Sequence, residues 1–182
     1  MLKWLIKRKL EAFGRSFGYD ASYAVELVDG DEAAGFALAR LSKAASYRAD
    51  APAAAWYAAK IAVAMSEVCG PCVQLAVTMA ERASVPESDL RAIVTGDPAR
   101  MSAEASLGYR FAKAAIARSA ELDGLRDEVA KRWGRKALGA IAINIVTTRT
   151  FPALKYALGH GQSCRSVEIG GNAIAPGTLA HA

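Results

Sequence analysis

The sequence predicts an all-α protein, and three observations carry that expectation. Forty of its 182 residues are Ala, which has the best helix propensity and a side chain small enough to let helices pack closely. Apolar residues recur at helical spacing along almost the whole chain, and the breaks fall at Gly, Pro and Asp, where helix ends are expected. The composition is 53% hydrophobic and 23% charged, enough apolar material for one domain with a real core. That balance excludes a disordered chain, whose low hydrophobicity could not offset its conformational entropy, as well as collagen-like and disulfide-framework classes.

About ten helices are expected in a single domain. It divides into an N-terminal amphipathic helix over residues 1–18, a central helical unit over 32–97, a second helical half over 98–160 and a loop-like tail over 161–182. In the first helix Leu2, Ile6, Leu10, Phe13 and Phe17 share one face, with Lys3, Lys7 and Arg15 largely off it. Such a helix reads as a packing or oligomerisation arm, and membrane contact is not expected of it. Tyr19-Asp20 opens a short helix over 21–28, and Asp29-Gly30-Asp31 separates it from a helix over 32–47. Asp50-Ala51-Pro52 starts the next, with Pro tolerated in the first turn, and that helix runs to Val68. Cys69-Gly70-Pro71-Cys72 interrupts, and a second apolar helix follows over 72–83. Val85-Pro86 opens a short helix that ends near Thr95 with Gly96 as its stop. Asp97-Pro98 closes this half.

The second half repeats the style. Helices are expected over 102–119, around Leu122, Leu125, Val129 and Trp133, and over 135–149, where Thr150-Phe151-Pro152 ends the last of them. One more short helix is expected over 152–158. After it Gly161, Gly170, Gly171 and Gly177 give the tail loop character, with residues 167–169 (Val-Glu-Ile) as its only strand-like piece.

The net charge of +5 is local: residues 1–15 carry five Lys/Arg against one Glu, and the rest is nearly balanced. No basic stripe covers the body, so nucleic acid is not an expected partner. The longest charge-free stretches, 68–80 and 137–148, fall short of the ~18–20 apolar residues that span a bilayer. The basic start has its apolar residues interrupted by Lys and Arg and lacks the apolar region and cleavage site of a signal peptide. A cytoplasmic location is expected. No Gly-rich phosphate loop follows a strand, and no flavin, haem, nucleotide or other cofactor is expected.

Cys69-Gly70-Pro71-Cys72 is the most specific feature. Without a secretory signal, a C-x-x-C pair reads as redox-active or metal-binding before it reads as a structural disulfide. Pro suits the first turn of a following helix, which puts both sulfurs near unpaired backbone N–H groups and the positive end of the helix dipole, where a thiolate is stabilised. Two residues of spacing allow the sulfurs to bridge. Leu75, Ala76 and Met79 share the helical face of Cys72, so Cys72 is expected to face an apolar pocket. Two alternatives stand beside this one. The pair can be reduced core cysteines, since free Cys is among the most buried residue types, or His160 and Cys164 can complete a Cys3His metal set across two distant parts of the chain.

The stretch over residues 54–97, AAWYAAKIAVAMSEVCGPCVQLAVTMAERASVPESDLRAIVTGD, resembles the AhpD-like alkylhydroperoxidase / carboxymuconolactone decarboxylase family. It has an apolar helix, C-x-x-C, a second helix and a short helix beginning at Val-Pro. FPALKYALGHGQSCRSV over 151–167 is similar to the tail of some members. The resemblance implies an all-helical homo-oligomer, dimer to hexamer, that reduces hydroperoxides with its two cysteines. Cys72 would be the peroxidatic thiol and Cys69 the resolving one, with a partner dithiol restoring the pair.

The family's proton relay places a Glu twelve residues before the first Cys and a His four after the second; here those positions hold Tyr57 and Ala76. Candidate substitutes are Glu67, which shares a helical stripe with Lys60 and could accept a proton, and Tyr57, whose phenol could donate one. Gln74 and His160 join them only if the fold brings them near. Thiol–disulfide exchange is the alternative within redox chemistry, because Cys-Gly-Pro-Cys is similar to the motif of thioredoxin-like proteins. A non-catalytic helical oligomer or interaction module is the alternative outside it. Lactone decarboxylation, the family's other activity, finds little acid–base chemistry in a chain with so few His.

Overall fold

The computed structural model describes residues 2–161 and 166–177. Its order is α1 (Leu2–Phe17), α2 (Ser22–Gly30), α3 (Glu32–Ala45), α4 (Ala53–Ser66), α5 (Gly70–Arg82), α6 (Glu87–Thr95), a 3-10 turn (Pro98–Arg100), α7 (Ala103–Ala117), α8 (Leu122–Ala157), β1 (Val167–Ile169) and β2 (Asn172–Ile174). The all-α expectation holds, with eight α-helices among the described residues in place of about ten.

The difference lies in α8, which spans the last three expected helices: the expected break before Arg135 is present, and the one expected at Pro152 is not. Its backbone leaves helical geometry at Gly134 (φ 81°, ψ 169°) and then continues through Pro152. Proline removes one helical hydrogen bond, but a helix bends past it when a continuous face is buried on neighbours. Asn144, Ile145, Thr147, Thr148, Pro152 and Lys155 are all buried, so packing carries the helix past the residue expected to end it. This length also changes the membrane arithmetic. By length and composition α8 can cross a bilayer: its best window has mean hydropathy 1.3 and 44% of that window is buried within the protein. A helix over 135–149, stopped at Thr150 as the sequence predicts, would be too short for this.

Other ends follow local chemistry. The Asp31 side chain accepts from the Ala33 N–H at 2.9 Å to cap α3, and Ser102 accepts from the Ala105 N–H at 3.3 Å to cap α7, each satisfying a donor the helix leaves unpaired. Gly96 ends α6 in the left-handed region (φ 73°), as its position predicts. The buried Asp89 accepts from both the N–H and the hydroxyl of Ser102, at 2.6 and 2.7 Å, and fixes α6 to the start of α7.

Helix α4 is the centre of the core. Residues 58–65 are buried without interruption, as are Ala55 and Trp56, so it is covered on every side, which is what apolar character all round a helix requires. Helices α5, α7 and α8 pack around it. The α4–α7 crossing is made close by Gly108, where a Cβ would land on the Ala55 backbone. Helices α1, α2 and α3 form a second layer, with a small cluster of Tyr23, Ala24 and Leu38 backed by Leu10, Tyr19, Phe151 and Leu154. Helix α1 is tied down within the chain: Lys7 pairs with Asp29 of α2 at 2.8 Å, and the Arg82 guanidinium of α5 lies 4.0 Å over the Phe17 ring and bonds Ser16. The tail is an antiparallel hairpin rather than a loop over residues 167–174, because Asn172–Ile174 pairs with the expected strand piece and buries Val167 and Ile169. Its second strand carried no apolar alternation to announce it.

Gly108→Ala should destabilise the fold by at least about 2 kcal/mol, since the contact is with backbone that cannot give way. Urea denaturation measures it, and a midpoint equal to wild type would show that the α4–α7 contact is looser than described.

Candidate functional site

The cysteines sit where the chain turns from α4 into α5. Cys69 is the residue before α5 in an extended conformation, with Gly70 and Pro71 as the first two helical residues and Cys72 the third. The Cys72 and Val73 N–H groups both donate to the Cys69 carbonyl, at 3.1 and 3.0 Å. Cys69 and Cys72 are joined by a disulfide, with their Cα atoms 5.3 Å apart. Cys69 is 0% exposed, and Cys72 is partly buried against the core.

The turn before them is held from α8. Tyr156 donates its hydroxyl to the Val68 carbonyl at 3.0 Å, and Arg149 pairs with Glu67 at 2.6 Å. Val68 has φ 53°, a left-handed conformation that a β-branched side chain adopts only under strain. Both α8 contacts fall on the residues that carry this turn.

Cys72 opens onto a cavity of about 1050 Å³ between the two helical layers. Leu75, Ala76 and Met79 line the same wall, so Cys72 faces the apolar pocket its helical spacing predicted. The facing walls come from α1 through Ile6, Leu10, Phe13 and Phe17, and from α2, α3 and α8. No Asp, Glu or His lines the cavity among the described residues.

Tyr57 lines the cavity with Cys72; Glu67, Gln74 and His160 do not. Tyr57 is half-buried edge-on to Trp56, and burial raises its phenol above the ordinary value, partly opposed by Arg48. Glu67 caps the end of α4, its N–H on the Val63 carbonyl at 3.1 Å, and its carboxylate goes to Arg149 rather than into the cavity. The Gln74 amide takes both backbone groups of Glu168, accepting at 2.7 Å and donating at 3.1 Å, and so anchors β1. His160 is held on α2 by Glu26 at 2.9 Å and Ser22 at 3.3 Å. Cys164 lies outside the described residues, and among those described no three His, Cys, Asp or Glu gather as metal ligands.

Lys60 is the cavity residue the sequence reading undervalued. It is 8% exposed, lines the cavity, and has no carboxylate partner among the described residues. Its ammonium donates to Thr148 Oγ1 at 3.2 Å and to the Ala45 carbonyl at 3.4 Å, and lies 4.7 Å from the Trp56 ring. Thr148 in turn donates to Asn144 Oδ1 at 3.1 Å, and the Asn144 amide donates to the Trp56 carbonyl at 2.7 Å. Burial lowers the Lys60 pKa from 10.5 to about 8, because a desolvated ammonium loses its hydration without a counter-charge. The available signal was a single Lys in the middle of an otherwise apolar helix, AAAWYAAKIAVAMS.

Compared with known proteins, the chain matches no family model, no curated protein and no solved structure.

Two stability measurements probe this geometry. Val68→Asn, which tolerates the left-handed region, should gain about 1 kcal/mol in urea denaturation; a loss would mean that the valine packs more than it strains. For Lys60 the folded pKa lies below the unfolded one, so between about pH 8 and 10.5 the unfolded chain binds the extra proton and stability rises with pH. The cost of the buried charge, on the order of 3 kcal/mol, is thus present in full below that window. Lys60→Met should be more stable than wild type at pH 7, by ~1–3 kcal/mol after the lost hydrogen bonds, and the advantage should shrink by pH 10. An advantage independent of pH would show that Lys60 does not titrate in this range.

Proposed function

We propose that this protein is a thiol-dependent redox protein of the AhpD-like kind, which reduces hydroperoxides through a Cys69/Cys72 dithiol–disulfide cycle. The observation that carries the reading is the asymmetry of the pair: Cys72 lines an apolar cavity at the start of a helix, and Cys69 lies fully buried within bonding distance behind it. A thiol so placed meets a small or apolar oxidant, while its partner is protected until needed.

In the proposed cycle the Cys72 thiolate attacks the terminal oxygen of a hydroperoxide. The O–O bond breaks, the alkoxide leaves and takes a proton to become an alcohol, and Cys72 becomes a sulfenic acid. The Cys69 thiol then attacks the Cys72 sulfur, which releases water and forms the disulfide. A partner dithiol reduces that disulfide through a mixed disulfide and is itself oxidised. With no Glu or His on the cavity wall among the described residues, the proton for the alkoxide falls to Lys60 or Tyr57. Lys60 is suited to that work, because its pKa of about 8 lets it hold a proton at neutral pH and release it readily.

One observation favours thiol–disulfide exchange as a second reading. Exchange expels a thiolate, which leaves without protonation, so a cavity with no carboxylate or imidazole among the described residues suits it as well.

The test is the rate at which the reduced protein loses its two thiols on titration with hydrogen peroxide and with cumene hydroperoxide. Loss should be at least about tenfold faster than for a free cysteine, should favour the organic oxidant, should end in a Cys69–Cys72 disulfide by mass spectrometry, and should vanish in Cys72→Ser. A rate no faster than that of a free thiol sinks the peroxidase reading. Turnover of a model disulfide under the same conditions would then select exchange.

A further inference from the structure

We infer that the cavity is a binding site for a long-chain carboxylate, with the acyl chain lying between the two helical layers and the carboxylate seated on Lys60. The inference does not depend on the redox reading, since it concerns what fills the cavity rather than what the cysteines do.

Three observations converge on it. The first is size and character. A cavity of about 1050 Å³ is at the top of the ~300–1,000 Å³ range of small-molecule sites, and Phe13, Phe17, Phe36, Leu75, Met79 and Phe151 are among its walls. An acyl chain is the kind of ligand that such an apolar space accommodates.

The second is charge. Lys9, Arg48, Lys60 and Arg82 line the cavity and no carboxylate does among the described residues, so the field of those residues is of one sign. Low-dielectric walls strengthen such a field inside a cleft. Arg82 is already engaged by Ser16 and the Phe17 ring. Lys9 and Arg48 are exposed to solvent, where pairing contributes little.

The third is Lys60 itself. A cation more than nine-tenths buried is ordinarily paired; this one has two oxygen acceptors and an aromatic face, but no opposite charge among the described residues. A ligand carboxylate would complete it with a charge-assisted hydrogen bond in a water-poor setting, where such bonds are strongest. Charge and tail also act together. The carboxylate sets the depth at which the chain enters, and the aromatic walls then cover its methylenes, each worth roughly 0.8 kcal/mol on burial.

Displacement of a fluorescent dansyl-undecanoic acid from the full-length protein by palmitate and by hexadecanol tests this directly. Palmitate should compete at least about tenfold better than hexadecanol, and Lys60→Met should erase that preference by weakening palmitate. Circular dichroism and urea denaturation report whether the variant is folded. Arg48→Ala, which removes an exposed cation of the cavity lining, should keep the preference. Absence of probe binding, equal competition by acid and alcohol, or a preference that survives Lys60→Met and is lost in Arg48→Ala would each overturn the assignment. The assay uses no peroxide, so its failure leaves thiol oxidation unaffected, and a failed thiol titration leaves it intact.

Discussion

The structure is organised around the burial of α4, and in particular around the one cation that helix takes into the interior. A helix covered on all sides has to be made of small and aliphatic residues, and α4 nearly is: alanines let α7 come within backbone contact at Gly108, while Ile61, Val63 and Met65 fill the remaining space. Lys60 breaks that rule. Its ammonium can be inside only because Thr148, the Ala45 carbonyl and the Trp56 ring surround it, and because Asn144 orients Thr148 while bonding the Trp56 carbonyl. Those contacts tie the end of α3 and the middle of α8 to α4, so the groups that make the charge tolerable also hold the two layers in register. A hydrophobic residue at this position would give a more stable core. The cation thus costs the fold stability while placing a deeply buried positive charge on the cavity wall.

The cavity follows from how the layers meet. Both layers present large side chains to the space, Trp56, Tyr57, Leu75, Met79 and Phe151 from α4, α5 and α8, and Phe13, Phe17 and Phe36 from α1 and α3. Close packing would need large residues opposite small ones in interlocking layers; here the aromatics stand around an opening instead. The basic side chains of α1 face away from this space in part, with Lys3 and Lys7 drawn to Asp29, which leaves the apolar stripe of that helix as a wall. The amphipathic pattern of the first seventeen residues is thus used within the chain.

How much of this was legible in the sequence depends on the range of the interaction. Signals written within one turn of helix were readable: Gly96 as a stop, Pro52 and Pro86 at helix starts, and the face shared by Cys72, Leu75, Ala76 and Met79. Signals that depend on what lies opposite were not. Pro152 looks like a terminator locally, yet the buried face of α8 overrides the loss of one hydrogen bond. Glu67 looks like a proton acceptor for the site because it follows Lys60 along the helix, but Arg149, 82 positions away, takes the carboxylate. Gln74 and His160 were plausible near the cysteines because no sequence pattern shows that a hairpin strand and α2 bind them first. The inward Lys60 had a visible signal, a charge inside an apolar run; what could not be read was the set of acceptors from three helices.

The same distribution of constraints bears on how a thiol pair could work here. The turn carrying the cysteines is held at two points from α8, through Tyr156 to Val68 and Arg149 to Glu67, and the body of α5 is pinned to β1 by Gln74. Cys69 is therefore fixed from both sides and enclosed in the core. Cys72 faces space, and its sulfur has somewhere to go when it is not bonded to Cys69. An arrangement with both sulfurs mobile would expose the pair to oxidation beyond the disulfide, and one with both enclosed would admit no oxidant. Under the proposed cycle, one fixed and one open sulfur would reconcile access with protection, and the apolar walls and Lys60 would set which oxidant the cavity admits.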